Sequence, residues 1–169
     1  MVAEGAPGWP GTFRESWGMN EVPMVPNAPT TAMSAARAFF AAYSAHDVDG
    51  MLQLCSNIAR IRYVPMGPLG TGSVHTTGRK IWNGLITALP DMTVTVKSAF
   101  ADDRHVGAEV VIADAKRGYE LPHAFFLTVD ESYRISEVTA YWDNMNFGFQ
   151  FTKAGVVRLV DAITSMRER

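Results

Sequence analysis

Met92-Thr93-Val94-Thr95-Val96-Lys97-Ser98-Ala99-Phe100 alternates apolar and polar side chains, and this period of two decides the fold class. Met92, Val94, Val96 and Phe100 fall on one face and Thr93, Thr95 and Lys97 on the other, which is the pattern of a half-buried strand. The pattern continues downstream. Ala101-Asp102-Asp103-Arg104 supplies a turn, and Val106, Ala108, Val110, Ile112 and Asp114 share one face of the next strand. Lys116-Arg117-Gly118-Tyr119 closes a hairpin onto a strand from Leu121 to Val129. Asp130-Glu131-Ser132 then turns into a last strand from about residue 134 to residue 143. Four sequential strands with short turns form an antiparallel meander.

Upstream the period changes to that of helices. Thr30 and Thr31 can cap a helix reaching about Ala45, with Met33, Ala36, Phe40 and Tyr43 as its apolar stripe. A second, shorter helix follows Asp47, its expected N-cap, and carries Val48, Met51, Leu52 and Cys55 on one side. Residues 58–66 read as an early strand with Ile61, Tyr63 and Pro65 on one face. The glycine-rich Gly67-Pro68-Leu69-Gly70-Thr71-Gly72 follows, lacks a phosphate-loop ending, and reads as a lip or lid. Arg79 to Leu89 is apolar nearly all round, which suggests a helix buried on more than one side. A final helix is expected over residues 154–167. Helices first and a meander after them predict an α+β domain, with the helices covering one face of a curved sheet.

The ends divide the chain into two parts. Residues 1–29 hold five prolines and four glycines and form an arm, although Trp9, Phe13 and Trp17 give it anchoring apolar surface. Residues 30–169 form the single domain. The net charge of −2, without a basic stripe, argues against nucleic acid as a partner. No stretch has the roughly 18 to 20 apolar residues of a membrane span, and the expected setting is soluble and cytoplasmic. The single cysteine, Cys55, reads as core. His46, Asp47 and Asp49 are the nearest thing to a metal cluster, but neighbours at a helix start rarely converge on one ion, so no metal is expected.

One carboxylate stands out. Tyr141-Trp142-Asp143-Asn144-Met145-Asn146-Phe147 sets Asp143 among large apolar side chains, where burial would favour an acid-base role. The competing reading is that Asp143 ends a strand and caps the following turn. Alternation groups Ile135, Glu137, Thr139, Tyr141 and Asp143 on one face, against Val138, Ala140 and Trp142 on the other. A two-residue turn at Arg117-Gly118 would pair Ile112 with His123 and bring Asp114, His123 and Phe125 to one face. His123 is thus a second candidate for chemistry. Whether Asp143 joins it depends on the Asp130-Glu131-Ser132 turn, because a slip of one residue flips the last strand. Tyr63, Trp82, Phe126 and Tyr141 are candidate substrate-binding residues.

Three motifs in order carry a family resemblance: Ser44-Ala45-His46-Asp47-Val48-Asp49 between two helices, Ala88-Leu89-Pro90-Asp91-Met92-Thr93-Val94 entering the strands, and Ile135-Ser136-Glu137-Val138 through Tyr141-Trp142-Asp143. With this arrangement the chain resembles the SnoaL-like polyketide cyclases of the nuclear transport factor 2-like superfamily over about residues 32–150. The resemblance implies a cone-shaped α+β barrel around an apolar pocket, commonly in a homodimer. It also implies cofactor-independent chemistry with a last-strand carboxylate as general acid and base, the position that Asp143 matches. The limonene-type epoxide hydrolases pair that carboxylate with a second one preceded by an arginine. Asp114 matches the second carboxylate, but Ile112 stands where the arginine would be, which disfavours epoxide hydrolysis. The expectation is therefore an aldol cyclase, isomerase or dehydratase (lyase) acting on a hydrophobic, carbonyl-bearing small molecule. The alternative is a non-catalytic ligand-binding or dimer-scaffold domain of the same fold.

Overall fold

A computed structural model describes residues 28–149. The N-terminal arm up to residue 27 and the helix expected at 154–167 lie outside the described residues. Helix α1 (Ala32–Ser44) starts where the threonines predict. Thr31 Oγ1 accepts the Ser34 amide, and Ser34 Oγ in turn accepts the Thr31 amide, closing a capping box. Helix α2 (Val48–Gln53) is capped by Asp47, whose Oδ1 accepts the Gly50 amide at 2.8 Å.

Strand β1 (Cys55–Tyr63) comes next, followed by turns of 3-10 type over Val64–Gly70. The glycine-rich segment is more ordered than a simple lip. Gly67 bends the chain at φ 56°, a backbone conformation in which glycine is favoured, and β2 (Thr71–Ser73) returns antiparallel along β1. Helix α3 (Arg79–Ala88) is less buried than expected: Trp82 alone is fully enclosed, while Ile81, Leu85 and Ile86 stay half-buried. All three pack against the core, and Ile81 and Leu85 also border a cavity.

The expected meander is present as β3 (Thr93–Ala101), β4 (His105–Asp114), β5 (Tyr119–Val129) and β6 (Ile135–Trp142). The sheet has six strands in the order β2-β1-β6-β5-β4-β3, and β1 runs parallel to β6, so it is mixed and does not close on itself. Its inner face packs on α1, with Phe39, Phe40 and Tyr43 meeting Trp82 and Phe125 edge-on or tilted. The whole is the α+β arrangement of helices on one face of a curved sheet expected from the order of elements, with the cone shape that the resemblance implies.

Two bulges reset the alternation. Between Val96 and Ser98 the β3 register slips by one residue, so Ala99 points inward and Phe100 outward, 63% exposed. Phe100 was expected beside Val94 and Val96, but instead covers the bare backbone of Gly107 across the ladder. The second bulge lies at the start of β6. Val129 pairs with Ile135 and Thr128 with Glu137, which leaves Ser136 as the extra residue. Ile135 and Val138 are consequently both buried although three positions separate them.

Candidate functional site

The second bulge settles which residues of β6 face inward. Beyond it His123 pairs with Trp142, Phe125 with Ala140 and Leu127 with Val138, all on the inner face. Tyr141 is 40% exposed on the outer face, where its ring meets that of Phe126, itself 47% exposed. Neither residue reaches the cavity, which corrects their expected role as pocket walls. For Tyr141 the reason is the one-residue slip at Ser136, and for Phe126 it is simple alternation with the inward-facing Phe125 on β5.

Between the inner face and α3 lies an apolar cavity of about 320 Å³. The sheet contributes Tyr63, Ile112, Tyr119, His123, Phe125 and Trp142. Helix α3 supplies Lys80, Ile81, Gly84 and Leu85, and Tyr43, Met66 and Phe147 complete the wall. Of the residues singled out from the sequence, the cavity gathers Tyr63 and His123. Trp82 lies one layer deeper than expected. It is fully buried, and its Nε1 donates to Tyr63 Oη at 2.7 Å, so it holds the tyrosine and does not itself line the cavity.

His123 is 7% exposed, and its Nδ1 lies 2.9 Å from the Leu121 carbonyl oxygen. A carbonyl only accepts, so Nδ1 carries the proton and Nε2 keeps its lone pair. No hydrogen bond to Nε2 forms among the described residues. Burial pulls the imidazole pKa down to about 4, against the smaller opposing effect of the Leu121 bond, so the ring is neutral near pH 7. The ring sits between Phe125 and Trp142, with centroids at 5.8 and 5.4 Å.

The tyrosine hydroxyls behave differently. Burial raises the pKa of Tyr63 and Tyr43 well above the ordinary phenol value, so both stay protonated. Tyr63 Oη accepts from Trp82 and retains its own proton to donate. Tyr43 Oη is near it, but outside hydrogen-bond geometry and without a partner of its own.

The carboxylates stand apart from this cavity. Asp143 is exposed one residue past β6, and its Oδ1 accepts the amides of Met145 and Asn146 at 2.8 and 3.2 Å. It caps the helical turn over 144–149, and is not among the cavity residues. The expectation of a buried last-strand carboxylate is corrected here: the slip that turned Trp142 inward leaves its neighbour outside. Asp114 does share the inner face with His123, but His123 pairs with Val110 and not with Ile112. The four-residue offset puts Asp114 roughly 13 Å further along the sheet. There it is wholly buried, receives the Arg117 amide at 3.1 Å, and holds the Arg117 guanidinium at 2.9 Å. Arg117 also meets Asp91 at 3.0 Å, so Asp114 belongs to a clamp on the β4-β5 turn. The carboxylates near the first helices are likewise committed. Asp47 caps α2, Asp49 pairs with Arg79, and His46 bonds the Met92 carbonyl oxygen.

Sequence reasoning missed Trp142, Tyr43 and Tyr119. The available signal was that Val138, Ala140 and Trp142 are all apolar at alternate positions, the normal mark of an inward face.

The profile of the SnoaL-like domain matches residues 36–138, more than half of the chain. No curated protein gives a significant match. Among solved structures, IdmH, a candidate polyketide cyclase from Streptomyces antibioticus, superposes with a TM-score of 0.61 at 18% identity, covering 72% of this chain and 98% of its own. AclR, a candidate hydroxylase from Streptomyces galilaeus, gives 0.60 at 14% identity, covering 72% and 96%. SalBIII, an epoxide hydrolase/cyclase-like enzyme in pyran ring formation of the polyether salinomycin, gives 0.56 at 16% identity, covering 68% and 92%. At these identities the structures share the fold, and the profile match carries the assignment: the chain belongs to the SnoaL-like domain family.

Proposed function

We propose that this protein is a cofactor-independent enzyme that moves a proton on a hydrophobic, carbonyl-bearing small molecule, with His123 as the proton acceptor. The observation that carries this reading is a neutral imidazole on the wall of an apolar cavity, with its tautomer fixed by Leu121 and no partner for Nε2 among the described residues. In the step envisaged, Nε2 takes a proton from the carbon beside the carbonyl, and the C–H electron pair moves into an enolate. Tyr63, whose oxygen is held by Trp82 and whose proton is free to donate, would bond the enolate oxygen. Return of the proton to another carbon is an isomerisation. Attack of the enolate carbon on a second carbonyl of the same molecule is an aldol closure, the new alkoxide taking the proton back from His123, and loss of a β-hydroxyl with the returned proton, as water, is a dehydration. A pKa of about 4 makes His123 a weak base in the empty cavity. An enolate forming beside it would favour the imidazolium and raise its basicity as the reaction proceeds. Asp143 and Asp114 have no part in this step.

The test is solvent deuterium exchange into a panel of apolar cyclic ketones followed by NMR. Wild type should exchange, and His123→Gln should lower the rate by at least ~10²-fold; equal rates would overturn the assignment.

One observation favours a second reading, a non-catalytic ligand-binding domain. The low His123 pKa suits an imidazole that accepts a hydrogen bond from a ligand hydroxyl and never takes its proton. It predicts ligand binding without exchange. In either case a homodimer is part of the proposal, supported by the outward aromatic rings of Phe100, Phe126 and Tyr141 on the sheet.

A further inference from the structure

Helix α3 carries a glycine for which the described residues give no structural reason. Gly84 sits inside the helix, where glycine is less favourable than alanine, and its φ is not in the left-handed region. A Cβ built on it would meet nothing within 4 Å among the described residues. Among the described residues, neither close packing nor a backbone requirement accounts for the missing side chain. Gly84 does, however, border the cavity.

One turn earlier on the same face stands Lys80, also at the cavity border. It is exposed, and no carboxylate lies within ion-pair distance of it among the described residues, whereas Arg79 beside it is paired with Asp49. Among the described lining residues Lys80 is the one lysine or arginine, and the others are aromatic, aliphatic or imidazole-bearing side chains and a glycine.

We infer that Gly84 and Lys80 form the mouth of the cavity, selecting an amphiphilic ligand whose apolar body passes over the bare backbone of Gly84 while an anionic group at its outer end pairs with Lys80. The inference deepens the proposed function by adding an acid group to the substrate, and it needs only that the cavity be occupied, not that His123 react. Gly84 is then a specificity-determining position. Any side chain there would narrow the passage, at a site where alanine would otherwise stabilise the helix.

Two dyes of nearly the same ring system test it: 8-anilinonaphthalene-1-sulfonate, which is anionic, and N-phenyl-1-naphthylamine, which is neutral. Gly84→Phe should weaken both by more than ~10-fold, consistent with a blocked passage worth at least one decade of affinity. Lys80→Gln should weaken the sulfonate alone by about 2- to 5-fold, the range of an exposed ion pair. Gly84→Ala should raise the thermal midpoint by about 3 °C, because open space costs nothing to fill and the helix gains. If Gly84→Phe does not fold, Gly84→Cys folded first and then capped with N-ethylmaleimide supplies similar bulk, and the buried Cys55 does not compete. Unchanged dye binding with bulk at residue 84, an equal effect of Lys80→Gln on both dyes, or a lowered midpoint for Gly84→Ala would each overturn the inference. Neither dye is a substrate for proton exchange, so failure here is separate from failure of the ketone assay.

Discussion

Trp142 stands directly across the ladder from His123, with ring centroids 5.4 Å apart and both residues on the cavity wall. This pairing exists because Ser136 is inserted as a bulge at the start of β6. If the Val129-Ile135 register ran on without the slip, His123 would face Tyr141, and the odd-numbered side of β6 would turn inward. A carboxylate at Asp143 would then follow Tyr141 to the cavity side.

Asp143 is accordingly expected to matter for stability and not for the cavity. Asp143→Ala should cost about 0.5–2 kcal/mol by removing a helix cap, while Asp143→Asn should be nearly neutral. Urea unfolding measures both. Loss of dye binding in a folded Asp143→Asn protein would return this residue to the site.

Stability should fall on acidification through His123. Its folded pKa of about 4 lies below the ordinary histidine value near 6.5, so between those values the unfolded chain binds the proton more readily. Above about pH 6.5 both forms are neutral and this group adds no pH dependence. As pH falls to about 4 the folded state loses on the order of 3 kcal/mol, and below that the effect levels off. His123→Gln should flatten this part of the stability profile. A wild-type profile that matched the variant's across the same window would refute it.

Tyr63→Phe removes the acceptor of a fully buried indole N–H. An orphaned donor of this kind costs about 1–3 kcal/mol. Calorimetry of the variant, compared with the Trp82→Phe and Tyr63→Phe double variant, separates the bond from the packing. The two single effects should not add, and strict additivity would mean that the bond contributes nothing.

Asp114→Asn should destabilise the β4-β5 turn, because it takes a charge from a buried carboxylate that binds Arg117 through both an amide and its guanidinium. The expected cost is about 1–3 kcal/mol. Dye affinity of the folded variant should stay within a factor of about two, given the ~13 Å that separates it from His123 along the sheet.

The outward rings test the dimer. Phe126→Glu with Tyr141→Ser should shift the protein toward monomer in sedimentation equilibrium, since charge in an apolar interface is costly to desolvate. A species of unchanged mass would point to another contact surface.

The sequence by itself determined the meander, the helices before it and the capping of α1 by Thr31 and of α2 by Asp47, because these rest on local periodicity and short-range hydrogen bonding, and its motifs in order carried the resemblance to the SnoaL-like fold. It also brought His123 and Tyr63 forward as site residues, and both line the cavity. Only the tertiary structure decided which edge of β6 faces inward. Two bulges of one residue each, at Lys97 and Ser136, turn Phe100 out and Trp142 in. A bulge is placed by the pairing partner and by the packing of Ile135 and Val138 against the same core, neither of which leaves a periodic mark in the chain. For the same reason the role of Asp143 could not be read from its neighbours. Its local composition suggested burial, but the pairing of β6 with β5, reset at Ser136, placed its carboxylate on backbone amides in the open.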